Sequence, residues 1–183
     1  INRLLLVDNI LKKGAKKTLP VFEEAEKAFT EVKGLSDTPT VPAGYFEEKD
    51  LYIANLKKLI LMLLKSTSEN YGRKLVHEQE VLSNISDCII QLYVAESLVL
   101  RLKKMTALKS EEEMALYKDM TDVFVYDAAA RIKKYASDVT YSFAEGDVLE
   151  ALEKGMTYYT FTKGVNVKES RRRIADKLIE ENK

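Results

Sequence analysis

The side chains that could do chemistry in this sequence stand singly. The one histidine, His77, sits beside Glu78 and Glu80 near the expected start of a helix. As a general base or a transition-metal ligand it would want a second nitrogen or sulfur donor converging on it, and the spacing offers none. An exposed or capping histidine is expected. The one cysteine, Cys88, falls among Ile85, Ile89 and Leu92. No base or cation nearby would lower its pKa, so it is expected as a small buried hydrophobe rather than a nucleophile. Arg171-Arg172-Arg173 suggests phosphate binding, but Glu169, Asp176, Glu180 and Glu181 surround it, and a solvated face of mixed charge is the expectation. Tyr158, Tyr159 and Phe161 could stack on a ligand; packing in a core is the commoner use. Glu96 lies on an apolar helical face, and an acid there needs a partner or a proton. Arg131, placed by the period beside the face of Met120, Phe124 and Tyr135, is the expected partner, making Glu96 and Arg131 a structural polar pair. A catalytic acid at Glu96 would want a second carboxylate, and none can be placed with it. No catalytic, cofactor-binding or metal-ligating residue is assigned. Phosphate loops, glycine-rich dinucleotide turns, nucleophile motifs and paired Glu-x-x-His motifs are all absent.

These residues ride on helices. In Val76–Lys104, the residues Val81, Leu82, Ile85, Ile89, Leu92, Val99 and Leu100 recur at three- and four-residue steps, the spacing of one helical face. Glu47–Tyr71 reads as a long helix with Leu51, Leu56, Leu59, Ile60, Leu63 and Tyr71 on one face and Leu61, Met62 and Leu64 around the sides. A helix apolar on most sides belongs in the middle of a bundle. Ser110-x-x-Glu113 is a capping box that starts a helix running to about Tyr141. Asp147-x-x-Glu150 is another such box and starts Val148–Lys163, and Asn166-x-x-Glu169 resembles one and starts Val167–Glu181. Upstream, Ile1–Lys17 is a short amphipathic helix that Gly14 frays or ends, and Pro20 opens Val21–Lys33, which Gly34 stops. All three prolines lie between residues 20 and 42. The fold class expected is all-α: an antiparallel helical bundle over residues 47–183, preceded by a helical arm and proline-containing linker over residues 1–46.

The bulk composition narrows the function classes. Lys+Arg and Asp+Glu are equal at 29, so the basic excess of a nucleic-acid binder is missing. One cysteine excludes an internal disulfide framework. The longest unbroken apolar run, Leu59–Leu64, is far short of the roughly 20 residues that span a bilayer. The chain opens on Ile1 in what reads as mid-helix, and it is expected to be a piece of a longer protein.

Ile1-Asn2-Arg3-Leu4-Leu5-Leu6-Val7 resembles the segment of acyl-CoA dehydrogenases that follows their Glu-Gly-Thr-x-x stretch, with Lys12-Lys13 and Lys16-Lys17 like the lysine-rich stretch of bacterial members. His77-Glu78-Gln79, Ile90-Gln91-Leu92-Tyr93 and Asp127-Ala128-Ala129-Ala130-Arg131-Ile132 are similar, in order and separation, to the helical C-terminal extension of the very-long-chain type. The resemblance implies a non-catalytic structural domain of an FAD-dependent enzyme that dehydrogenates the α,β bond of fatty acyl-CoA in β-oxidation. It implies that the glutamate base and the flavin belong to the part before Ile1, that residues 1–46 are the tail of the catalytic body, and that this chain binds no cofactor itself. The implied partners are that catalytic body and further copies in a homo-oligomer, with no nucleic acid; the implied setting is cytoplasmic, with peripheral membrane contact left open. The alternative is an independent helical module that grips a protein or membrane surface with its arm.

Overall fold

In the computed structural model, which describes residues 2–181, the chain folds into seven α-helices and one 3₁₀ turn, with no strand among the described residues. They are α1 (Asn2–Ala15), α2 (Val21–Lys33), α3 (Tyr45–Tyr71), the turn Gly72–His77, α4 (Gln79–Met105), α5 (Glu111–Thr140), α6 (Gly146–Tyr159) and α7 (Val167–Glu181). Ile1, the first residue of the family-like heptapeptide, lies outside the described residues.

The centre is α3. Its buried side chains include Tyr52, Ile53, Leu56, Leu59, Ile60, Met62, Leu63 and Leu64, which point in every direction around the axis. A helix of that composition can shed water only by being enclosed. Accordingly α2, α4 and α6 pack along it, and α5 closes the remainder. Its buried hydroxyls return to their own helix: Ser66 donates to the Met62 carbonyl at 2.8 Å and Thr67 to that of Leu63 at 2.7 Å. The helix stops at Gly72, whose φ of +51° is a left-handed conformation that side-chain-bearing residues rarely adopt. The chain then takes a 3₁₀ turn, so α4 starts at Gln79 rather than at Val76.

On α4 the buried face runs through Val81, Leu82, Ile85, Cys88, Leu92, Ala95, Val99 and Leu102. Leu100, expected on that face, is 51% exposed, because the face passes through Val99 and Leu102 instead. The buried face of α5 is Thr121, Val125, Ala128, Ala129, Ile132, Ala136 and Val139, with small residues that let α4 approach.

Helix ends bear out some capping expectations and correct others. At Ser110 the box is complete: the Ser110 N–H donates to Glu113 Oε2 at 3.0 Å, and the Glu113 N–H donates to Ser110 Oγ at 3.3 Å. Asn166 forms half a box, accepting from the Glu169 N–H at 3.3 Å. Asp147 caps nothing. It lies inside the first turn of α6, which starts at Gly146 (φ +52°) without a side-chain cap. That helix ends at Tyr159, short of the expected Lys163, and the irregular run 160–166 passes over α3, where the Lys163 N–H donates to Tyr52 Oη at 3.0 Å.

The arm is docked on the bundle. Val7, Val21, Ala28 and Val32 belong to the same core as α3. Gly14 stands in the last turn of α1, which ends one residue later at Ala15, so the expected helix end holds to within a residue. Gly14 is also buried where α1 meets α2, and a Cβ there would lie 3.1 Å from both Phe22 and Val21.

Because the Lys109 ammonium and the Ser110 box hold it, the Glu113 carboxyl is pulled down to about 2. The box therefore stabilises the fold above the ordinary carboxylate range and is lost as pH falls through that depressed value. Ser110→Ala is expected to cost about 1 kcal/mol in urea unfolding at pH 7. A carboxyl titration by NMR should find Glu113 titrating near 2; a midpoint above 4 would contradict the box.

Candidate functional site

The residues singled out by type are scattered. His77 is exposed at the end of the 3₁₀ turn. Cys88 is fully buried against α5, with Sγ 3.8 Å from the Ile132 carbonyl, and burial pushes its thiol pKa up, away from the reactive thiolate. Tyr159 is fully buried and meets Tyr158 edge to face, while Phe161 packs against the core. Among the described residues, no group of three or more His, Cys, Asp or Glu is placed to hold a metal ion.

The expected Glu96–Arg131 contact is replaced. Glu96 accepts from Lys57 Nζ of α3 at 2.5 Å, and Arg131 is exposed with no ion pair among the described residues. The cause is register on α5: its buried face is centred on Val125, Ala128 and Ile132, which turns Arg131 outward. The arginine triplet is a clasp. Arg173 grips Asp119 of α5 with two bonds, at 2.6 and 2.7 Å, and Arg171 pairs with Asp127 at 2.7 Å. Arg173 holds the Asp119 carboxyl below the usual carboxylate range. These bonds fasten the mostly exposed α7 to α5.

A buried polar cluster built by α3, α5 and the segment after α6 was missed in the sequence. Lys49 of α3 is only 5% exposed. Its ammonium lies 2.8 Å from Glu48 and 2.8 Å from Asp122 of α5, and 4.8 Å from the Tyr45 ring centroid. Tyr45 Oη donates to Asp122 at 2.9 Å, and Lys163 donates to Glu48 at 2.7 Å. Burial would lower the Lys49 pKa, but the hydrogen bonds to Asp122 and Glu48 outweigh it and hold it above the usual lysine value. Burial alone would likewise raise Glu48; bonds from Lys163 and Lys49 pull it below the ordinary range instead. A lysine held so firmly charged is a poor base or nucleophile. The cluster joins the start of α3, the middle of α5 and the segment after α6. No sequence period announces it, since Lys49 reads as a solvated helix-start residue.

The surface carries several hollows. A groove of about 600 Å³ between α5 and α7 is lined by Glu112, Glu113, Glu180 and Glu181 along with Lys109 and Lys177. A trough between α3 and α4 holds two hollows, of about 310 and 220 Å³, that share Lys57; the larger is walled by Ile10, Leu19, Ile60, Leu64, Ile89 and Leu92.

Asp122→Ala should lower stability by about 2 kcal/mol or more, because it leaves a buried ammonium with Glu48 as its one close carboxylate. Lys49→Met should cost less, since Glu48 and Asp122 keep Lys163 and Tyr45. Urea unfolding of the two variants checks this order.

Residues 55–156 match the family model described as acyl-CoA dehydrogenase, C-terminal domain. A probable acyl-CoA dehydrogenase of Bacillus subtilis (strain 168) is 31% identical over 184 residues, an alignment that takes in 100% of this chain and 31% of that protein. A crystal structure of an acyl-CoA dehydrogenase complexed with FAD from Bacillus anthracis superposes with a TM-score of 0.89 at 30% identity, covering 99% of this chain and 30% of that one. The chain thus spans about a third of the length of these relatives.

Proposed function

Because the chain belongs to the acyl-CoA dehydrogenase C-terminal domain family, we propose that it serves as the non-catalytic helical domain of an FAD-dependent enzyme that oxidises fatty acyl-CoA thioesters. The observation that carries this is the alignment of the whole chain with part of a dehydrogenase in both sequence and fold. Among the described residues the buried cluster is a set of satisfied ion pairs, and Glu96 is paired with Lys57. An independent interaction module, the alternative from sequence, fits less well, because the arm's apolar face is spent on its own bundle.

FAD is the cofactor such an enzyme uses, and the residues here do not fit it. The groove between α5 and α7 is lined by five carboxylates and three cations, most of them paired with one another, which leaves a net negative lining for a diphosphate, and it opens at no glycine-rich helix start. No step of the reaction is derived through this chain. Its contribution is mechanical: a rigid bundle held on the catalytic body, the partner we assign to it, within a homo-oligomer in the cytoplasm. No described helix is long and apolar enough to cross a membrane.

The test is a dye-reduction assay with palmitoyl-CoA on two proteins. The longer polypeptide that carries this chain should hold FAD and reduce the dye. The 183-residue chain alone should do neither. Flavin binding or substrate-dependent reduction by the chain alone would overturn the reading.

A further inference from the structure

Helix α7 is held to the bundle in a different way from α6, which is nearly the same length. The 14 residues of α6 bury Leu152, Gly155, Met156 and Tyr159. The 15 residues of α7 bury Ser170, with Val167 and Ile174 half-buried. That buried hydroxyl is itself spent on a charge: Ser170 Oγ donates to Asp119 of α5 at 2.8 Å. Arg173 donates twice to the same carboxylate, at 2.6 and 2.7 Å. Asp119 thus takes three side-chain bonds from α7, and Arg171 adds one to Asp127 at 2.7 Å. Both arginine side chains are more than half exposed. The pairs of Arg172 with Glu169 and of Lys177 with Glu180 stay inside α7. The chain leading in supplies a hinge. Lys163 is anchored on α3, its N–H on Tyr52 Oη at 3.0 Å and its ammonium on Glu48 at 2.7 Å. Gly164 follows, with open space where a Cβ would stand, and then Asn166, whose half-cap belongs to α7.

We propose that α7 is a releasable strap: it leaves α5 as a unit about Gly164 while the rest of the bundle stays folded, and ionic strength, acting through Asp119, sets how often it does so. An element that buries few apolar side chains opens at a lower free energy than the whole fold. The force that closes this one is also the kind that salt weakens. Charges interact over about 10 Å at 0.1 M salt but only about 3 Å at 1 M, and exposed pairs lose the most. Apolar burial, which holds α3, α4 and α6, is not screened in this way. The pairs inside α7 and its Asn166 cap travel with the helix, so release does not depend on dissolving them. Release frees Arg171 and Arg173 on one side and Asp119 and Asp127 on the other. It also takes away one wall of the groove whose other wall carries Leu116 and Tyr117. The closed strap therefore withholds two arginines, two carboxylates and that side of α5 from any other partner.

Amide hydrogen exchange, read by mass spectrometry on the native polypeptide that carries this chain, tests the strap. Between about 0.1 and 1 M NaCl, the amides of Arg171–Glu181 are expected to exchange at least tenfold faster, while those of α3 and α6 change less than twofold. Asp119→Asn keeps the side chain's shape and removes its charge. It should put α7 in fast exchange already at the lower salt, with less than a twofold further response. Lys134→Gln removes an exposed pair elsewhere on α5, with Asp138, and should leave the response of α7 as it is. A rise in α7 below tenfold overturns the proposal, since it means that Val167, Ile174 or another part of the polypeptide holds the helix. A rise shared by α3 overturns it too, because the whole bundle is then opening. So does Asp119→Asn with slow, salt-responsive exchange in α7. If Asp119→Asn speeds α3 as well, the variant has lost its fold, and the salt response of the unsubstituted protein decides.

Discussion

Everything in this domain follows from the need to enclose α3. A helix whose Leu56, Leu59, Met62 and Leu63 face different neighbours cannot lie on a surface. Each fully buried side chain of that size contributes about 1.5–3 kcal/mol by leaving water. The exposed ion pairs that decorate the bundle, such as Lys134 with Asp138, contribute about 0–1 kcal/mol each. The apolar term therefore decides where α2, α4, α5 and α6 go, and it draws α1 and α2 into the same core instead of leaving them as a free arm. Polar contacts then set details that burial leaves open. The Lys49 cluster fixes the start of α3 against α5, and the Arg173–Asp119 clasp holds α7, which buries almost nothing of its own.

Much of this was legible before any coordinates. The all-helical class, the bounds of α2, the long central helix and the Ser110 box follow from local rules: proline and glycine placement, helical period and side-chain capping. Those rules act over a few residues, so a short window of sequence contains them. The apolar stripe of α4 was legible to within one or two positions. The slip at Leu100 and the late start at Gln79 have local causes, the choice between neighbouring leucines and a 3₁₀ turn that period counting cannot see.

What stayed hidden depends on partners distant in sequence. Lys49 reads as an ordinary surface lysine until Asp122, 73 positions later, is brought beside it. Glu96 was rightly marked as an acid in need of a partner. The partner is Lys57 because α4 leans its Glu96 edge toward α3, and a small rotation of α5 removes Arg131. Gly14 reads as a helix stop, and α1 does end one residue later; that it is also a contact point shows only in the packed structure, with Phe22 and Val21 against it. The burial of Cys88 was legible from its apolar neighbours.

The central claim is that this domain supports a reaction without taking part in it. The most direct measurement is kcat/KM of the full-length dehydrogenase carrying His77→Ala, Cys88→Ala and Glu96→Gln together, with circular dichroism confirming that the bundle is intact. The account predicts a value within about twofold of the unsubstituted enzyme, an effect on the barrier under about 0.5 kcal/mol. A loss of a hundredfold or more in a folded, flavin-loaded enzyme would contradict it.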